Sequence, residues 1–479
     1  MQVKKETAGK FYVITWRMII RLQEERRMRY ISLLLIGALL ILSSLLSVNA
    51  YSATTRVSSQ SEYKNAVNSL KPGDTIVLAN GEWSNFKILF MGFGEQDNPI
   101  TLTAEERGKV FITGLSNLRL AGEFLVVSGL VFKNGYTPTS EVISFRRNKE
   151  NLANNSRVTE VVIDGFNNPK QTGSDYWVTM YGKNNRFDHN YLAGKNNNGV
   201  TVAVRLNSEA SQLNRHRIDH NYFGRRSNIG ETLRIGTSHY SMSNSFTVIE
   251  DNYFDRCNGE VEIISNRSGG NVYRRNVFFE SRGTLTLRHG NDNLVEGNVF
   301  FGNGVDQTGG IRVINKRQTV RNNYLEGLAG TGFGSAFVIM NGVPDSPINY
   351  YHQVENSKIS NNTIIDASHI ELAAGSDAER SAVPKTTKFS NNLVYNSDGK
   401  DPVTIHDDIS GVRFKGNVHN GIADFKISNG FSRRTIELTR QDNGLLAPAE
   451  GTLNGIGVDR DLKVLDRAET GPDWYPKPD

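Results

Sequence analysis

The sequence predicts an all-β chain folded as a right-handed, single-stranded parallel β-helix, a solenoid with stacked asparagine turns. A corner motif recurs, an asparagine followed by two mostly apolar residues, at Asn190, Asn221, Asn252, Asn276, Asn298, Asn323, Asn362, Asn392 and Asn417. Between these corners lie strand-length alternations such as Val261/Ile263, Leu285/Leu287 and Ile311/Val313, separated by Gly, Asn, Asp and Ser turns. No amphipathic helical pattern falls between the corners, which excludes a helical array or a leucine-rich horseshoe.

The corner spacings are 31, 31, 24, 22, 25, 39, 30 and 25 residues, a base period near 22 to 25 with insertions in some turns. Such a period signals coils stacked about 4.8 Å apart. An asparagine at each corner can satisfy backbone groups of a sharp turn and stack on its counterpart in the next coil.

Taken in order, residues Ile31 to Leu46 form a short apolar run behind Arg26, Arg27 and Arg29 and ahead of Ser-Val-Asn-Ala50. Residues 1–50 therefore read as a signal peptide with an upstream segment, which sends the mature chain to the periplasm or medium without stable membrane insertion. Residues 51–430 read as one solenoid. It starts near residue 60 with the stretch Leu70 to Trp83 and continues through Val126–Phe132 and Val161–Phe166, coils that lack the corner asparagine. Stretches near 343–358 and 369–388 read as turns protruding from the stack, and 431–479 as an irregular closing segment. The open stack ends must be capped.

The leader carries the whole formal charge of +5, so the mature chain is neutral and its charge gives no reason to expect nucleic acid as a partner. Cys257 is the only cysteine, which rules out an intrachain disulfide and points to a small buried side chain. Nothing in the sequence calls for a partner subunit, and a monomer is expected.

Counting from the corners places Glu260, Glu262, Arg288 and Arg312 on adjacent coils. If Val261, Ile263, Leu285 and Leu287 face the core, Glu260, Glu262 and Arg288 face outward and line one groove with Arg312. Two carboxylates two residues apart repel unless compensated. Either a hard cation, Ca²⁺ ahead of Mg²⁺ or Mn²⁺, lies between them with Asn228 as a third oxygen donor, or Arg288 holds a solvated pair. Arg234, Arg288 and Arg312 then form a positive rim suited to a polymer bearing a carboxylate on each sugar. His289 has the opposite parity to Arg288 and is either packed or in contact with ligand.

The stretches Lys71–Trp83, Asn228–Gly236, Asn258–Ser265, Leu287–Gly290 and Gly-Gly-Ile-Arg312 strongly resemble the chondroitinase B-like polysaccharide lyases, family 6, and within them the alginate lyases. The resemblance implies a parallel β-helix that cleaves uronate polysaccharides by β-elimination, with alginate preferred over chondroitin or dermatan sulfate. It implies Ca²⁺ on Asn228, Glu260 and Glu262, a lysine base five residues after Glu262, and an assisting arginine that falls on Arg288. The lysine position holds Arg267. A guanidinium hardly releases its proton, so three outcomes follow. Arg267 is itself the base, as an arginine is in pectate lyases; a group such as His289 replaces it; or the chain binds uronate polysaccharide without turning it over.

Overall fold

The computed structural model describes residues 52–478, together with Trp16, Met18, 21–24 and 26–33. Most of the apolar run 31–46 lies outside the described residues, and among these no helix is long and apolar enough to cross a membrane. Three long sheets run the length of the solenoid, two of 14 strands and one of 13, and every pairing within them is parallel. Each central coil gives one strand to each sheet. One coil supplies Val248–Glu250, Tyr253–Asp255 and Glu262–Arg267; the next supplies Val272–Arg274, Val277–Phe279 and Gly283–His289.

The corner asparagines stand between the first and second strand of a coil and are at most 1% exposed. From Asn221 onward each side-chain oxygen accepts two hydrogen bonds from the asparagine one coil earlier, while Asn190 Oδ1 accepts from Val161 N at 2.8 Å. Asn276 Oδ1, for example, accepts from Asn252 N at 3.1 Å and from Asn252 Nδ2 at 3.0 Å. Its own Nδ2 donates to Ile249 O at 3.0 Å and to Asn298 Oδ1 at 2.9 Å. The residue before each of these asparagines has positive φ, as at His189, His220, Asp251, Arg275, Asn322, Asn361 and Asn391, with glycine at 297 and 416. That left-handed step makes the corner sharp, and the asparagine satisfies the backbone groups the turn would strand.

Inside, like side chains stack on like. Phe223, Phe254, Phe278 and Phe300 lie ring on ring at 4.9, 4.6 and 4.3 Å between centroids. Cys257 is buried in the same core. The first strand is Thr54–Val57, earlier than the expected start near residue 60, and the helix Gln60–Val67 follows it. Ser59 caps that helix by accepting from Glu62 N at 3.2 Å, and Tyr63 is buried against the first coils. At the other end Phe414, Phe425 and Phe431 pack on the last coils. The closing segment contains an antiparallel pair, Leu438–Arg440 with Leu446–Pro448, and a short 3₁₀ turn, Arg467–Glu469.

Candidate active site

The 13-stranded sheet presents Arg234, Ser265, Thr286 and Arg312 as one row of directly paired residues on consecutive coils. Regular pairing fails between the strands Glu262–Arg267 and Gly283–His289. Glu262 faces Thr284 while Ile264 faces Leu285, so an extra residue is accommodated. Ile263 and Ile264 are both buried in consequence, and Val261 is turned out, 42% exposed. This corrects the expectation that Val261 faces the core: strict alternation does not survive a bulge. Gly283 makes the bulge possible. Its φ is +98°, and a Cβ there would lie 2.6 Å from Val261 C.

The bulge opens onto a cavity of about 430 Å³ lined by Tyr176, Glu231, Arg234, Glu260, Glu262, Arg267 and Arg288 among others. Two further hollows extend it. One of about 250 Å³ shares Arg288 and is walled by Tyr350 and Tyr351, from the expected turn at 343–358, and by Glu379 and Arg380; the expected turn at 369–388 is shorter, since Ile370–Ala374 is a buried strand of the sheet. Another of about 380 Å³ shares Glu260 and includes Arg282 and Gln307.

Apart from Glu260, the charges lining the groove are paired with one another. Glu262 is 2% exposed, and one of its oxygens, Oε1, accepts from Arg288 Nη1 at 2.8 Å and from Arg312 Nη2. Burial alone would raise its pKa, but Arg312 and Arg288 hold it below the usual carboxylate range. Arg312 is 1% exposed and lies under the Phe333 ring, 5.3 Å from its centroid, rather than on the rim. The 3₁₀ turn Gly332–Gly334, invisible as a cover in the sequence, hides it. Arg288 reaches the groove with Tyr351 at 5.4 Å.

Glu231, inside the stretch Asn228–Gly236 and without a role assigned to it from the sequence, is the second anionic hub. It takes Arg234 in a two-point pair at 3.0 and 2.6 Å and accepts from Arg267 Nη2 at 3.2 Å. Its spacing of three residues from Arg234 is the signal that could have found it. Arg267 also donates from Nε to Ser265 Oγ at 3.0 Å. Burial, then Arg234 and Arg288, lowers its pKa from the ordinary guanidinium value, against the pull of Glu231. Gly236 permits this strand to pass close beneath, since a Cβ there would lie 2.1 Å from Arg267 O.

His289 is 2% exposed and is not among the lining residues of these cavities. Burial first, then Arg288 and Arg267, brings its pKa down to about 4, so it is neutral at neutral pH. Asn228 stands in the turn behind the cavity wall. Its Oδ1 accepts from Ile229 N at 2.8 Å and its Nδ2 donates to Asn196 O at 3.0 Å and Gln171 O at 3.2 Å.

The donor chemistry suits a hard cation. Glu260 has no ion pair among the described residues and only a 3.3 Å bond from Val261 N; both arginines take the same oxygen of Glu262; and the Asn228 carbonyl keeps a lone pair. Among the described residues no group of three His, Cys, Asp or Glu side chains forms a metal cluster.

A profile of the chondroitinase B family matches residues 57–459. The chain belongs to that family. Solved structures of family 6 polysaccharide lyases share its fold. It is 59% identical to the family 6 alginate lyase AlyGC, with a TM-score of 0.88 over 89% of this chain. The chain spans 59% of the length of that relative, and the same figures hold for an arginine-to-alanine variant of it. A mannuronic acid specific family 6 lyase from human gut microbiota is 34% identical over 80% of this chain and 91% of its own, with a TM-score of 0.73. A family 6 lyase from Pseudopedobacter saltans is 25% identical over 88% of this chain and all of its own, with a TM-score of 0.71. No curated protein matches.

Proposed function

We propose that the chain is a lyase that cleaves a uronate polysaccharide, alginate, by β-elimination in this groove. The observation that carries the reading is the juxtaposition of Arg234, Arg267 and Arg288 in one cavity beside Glu260, within a chain of this family. Support for alginate comes from the 59% identical alginate lyase and the 34% identical mannuronic acid specific enzyme. A lyase acting on chondroitin or dermatan sulfate is the rival within the same family, and a panel of the three polymers separates them.

Arg234 and Arg288 offer forked donors to the carboxylate of the bound sugar. Arg267 faces the C5 proton. In the reaction the C5–H bond breaks, its proton passes to the deprotonated side chain of Arg267, the electron pair forms the C4–C5 double bond, and the C4–O4 bond breaks. Arg288 supplies a hydrogen bond to the departing oxygen, which takes a proton from water, and the hydroxide so formed recovers the C5 proton from Arg267. Ca²⁺ held by Asn228, Glu260 and Glu262 would neutralise the sugar carboxylate, which otherwise resists the charge developing on proton removal. Export through the N-terminal leader would bring the groove to polymer outside the cytoplasm.

Arg267 favours a second reading, a groove that binds uronate polymer with little turnover, because its pairing with Glu231 stabilises the charged form that cannot accept a proton. The deciding experiment is Arg267→Lys, followed by ultraviolet absorbance of the unsaturated product. A rise of about tenfold or more in rate identifies a groove held back by arginine, since a lysine yields its proton more easily. Loss of an existing activity identifies Arg267 as the base. Absence of product from both forms on every uronate polymer would overturn the lyase reading.

A further inference from the structure

Two cations are buried behind the groove wall. Lys195 is 1% and Arg226 2% exposed, and a parallel bridge places them at the same position of adjacent coils, followed in the next coil by neutral Cys257. Neither has an ion pair with a carboxylate among the described residues. Asp175 attracts Lys195, and Glu231 and Glu260 attract Arg226, without contact; a buried charge with no contacting counter-ion is costly unless hydrogen bonds replace its water, and here main-chain carbonyls, with Asn197 Oδ1 and Thr201 Oγ1, do so.

Lys195 Nζ donates to Asp175 O at 2.9 Å, to Asn198 O at 3.4 Å and to Asn197 Oδ1. Arg226 spreads over more acceptors: Glu231 O at 2.8 Å, Asn228 O at 3.0 Å, Gly199 O at 3.1 Å, Ile229 O at 3.2 Å and Thr201 Oγ1 at 3.1 Å. Burial, then the repulsion of Arg226, brings Lys195 down to about 7 against the pull of Asp175, and burial brings Arg226 down to about 10 against the pull of Cys257, Glu231 and Glu260. Apart from Asp175 O, which precedes the strand Tyr176–Met180, these carbonyls belong to the turns 196–199 and 227–231 of successive coils, and both turns wall the cavity. Apolar side chains at 195 and 226 would strand those acceptors, and the turns would have to open to water.

We infer that Lys195 and Arg226 are positioning residues: an internal pair of cations that gathers the carbonyls of two adjacent turns and thereby fixes Glu231, the shared partner of Arg234 and Arg267. The inference rests on the groove being the functional site, but the arrangement itself can be tested without turnover.

Amide hydrogen exchange is measured on the full chain and on Lys195→Met, Arg226→Lys and Arg226→Met. The expected result is exchange about tenfold faster in 196–200 and 227–232, with protection kept in the neighbouring strands Val202–Val204 and Leu233–Ile235. Binding of an unsaturated oligouronate, followed by calorimetry, should weaken about fivefold in Lys195→Met, and Arg226→Lys should be milder than Arg226→Met. Unchanged exchange in the two turns, or a uniform rise along the whole solenoid, would overturn the inference; Lys195→Met keeps the test alive if Arg226→Met does not fold. Failure of the parent chain to bind any oligouronate would count against the proposed function, and the exchange result would still decide the role of the two cations.

Discussion

At the scale of single residues, the two glutamates that look equivalent in the sequence have different duties. Glu260, without an ion pair among the described residues, stands at the junction of two hollows, whereas Glu262 is the buried counter-ion of Arg312 and a partner of Arg288. Glu260→Gln should weaken metal and oligouronate binding while leaving the urea midpoint in place. Glu262→Gln should also cost about 3 kcal/mol of stability, because it leaves the Arg312 guanidinium buried without its anion. Equal midpoints for the two variants in urea would show that Arg312 finds another partner. The sequence made these residue types and their spacing legible, but not this division. Parity counting assumes unbroken strands, and a bulge at 262–264 and a turn carrying Phe333 both act through contacts distant in sequence.

At the scale of elements, the corner asparagines were legible because one residue type solves one problem in every coil. Asn276→Ala strands the backbone N–H and side-chain amide of Asn252 together with the acceptors of its own amide, which should cost roughly 3 kcal/mol in urea unfolding. A loss below about 1 kcal/mol would mean that water replaces the side chain. A second internal ladder leaves no repeat in the sequence because its members differ. Ser156 N donates to Asn185 Oδ1, Asn185 N to His216 Nδ1, Thr247 N to Asn271 Oδ1, Asn271 N to Asn293 Oδ1, and Asn293 N to Gln318 Oε1. His216 gives this ladder a pH signature. Burial brings its pKa down to about 3, below the value near 6.5 of an unfolded chain, with the Asn185 backbone opposing. Between those limits the unfolded state binds the extra proton, so the His216 contribution is complete above pH 6.5 and is lost as pH falls, by at most about 1.4 kcal/mol per unit. Urea midpoints from pH 7 to 4 should fall more steeply for the parent than for His216→Gln, and parallel slopes would remove His216 as the cause.

At the scale of the whole molecule, the apolar pair after the corner asparagines reflects two different burials. The second residue, such as Phe254 or Phe278, enters the core, while the first, such as Tyr222, Tyr253, Val277 or Tyr324, points out of the second sheet and is nonetheless buried. The cover is the closing segment, which Leu445, Leu462 and Leu465 press onto that face. It runs back along the stack. Arg440 pairs with Glu326 at 2.6 Å, Asp459 N donates to Asn322 Oδ1 at 2.7 Å, Gly471 N to His220 O at 2.7 Å, and Tyr475 OH to Asp164 Oδ2 at 2.7 Å. In the sequence the segment reads as irregular because its order comes from the surface it covers and not from a period of its own. Ending the chain after Asp459 should expose the outward tyrosines and valines, lower the thermal midpoint by roughly 5 °C or more, and create binding of a hydrophobic dye. Oligouronate binding well below that midpoint should persist, because the segment covers a different sheet from the one that carries the groove residues. An unchanged midpoint would show that the solenoid is held by its coils alone, and lost binding in a still-folded chain would show that the covered sheet and the groove are coupled through the core.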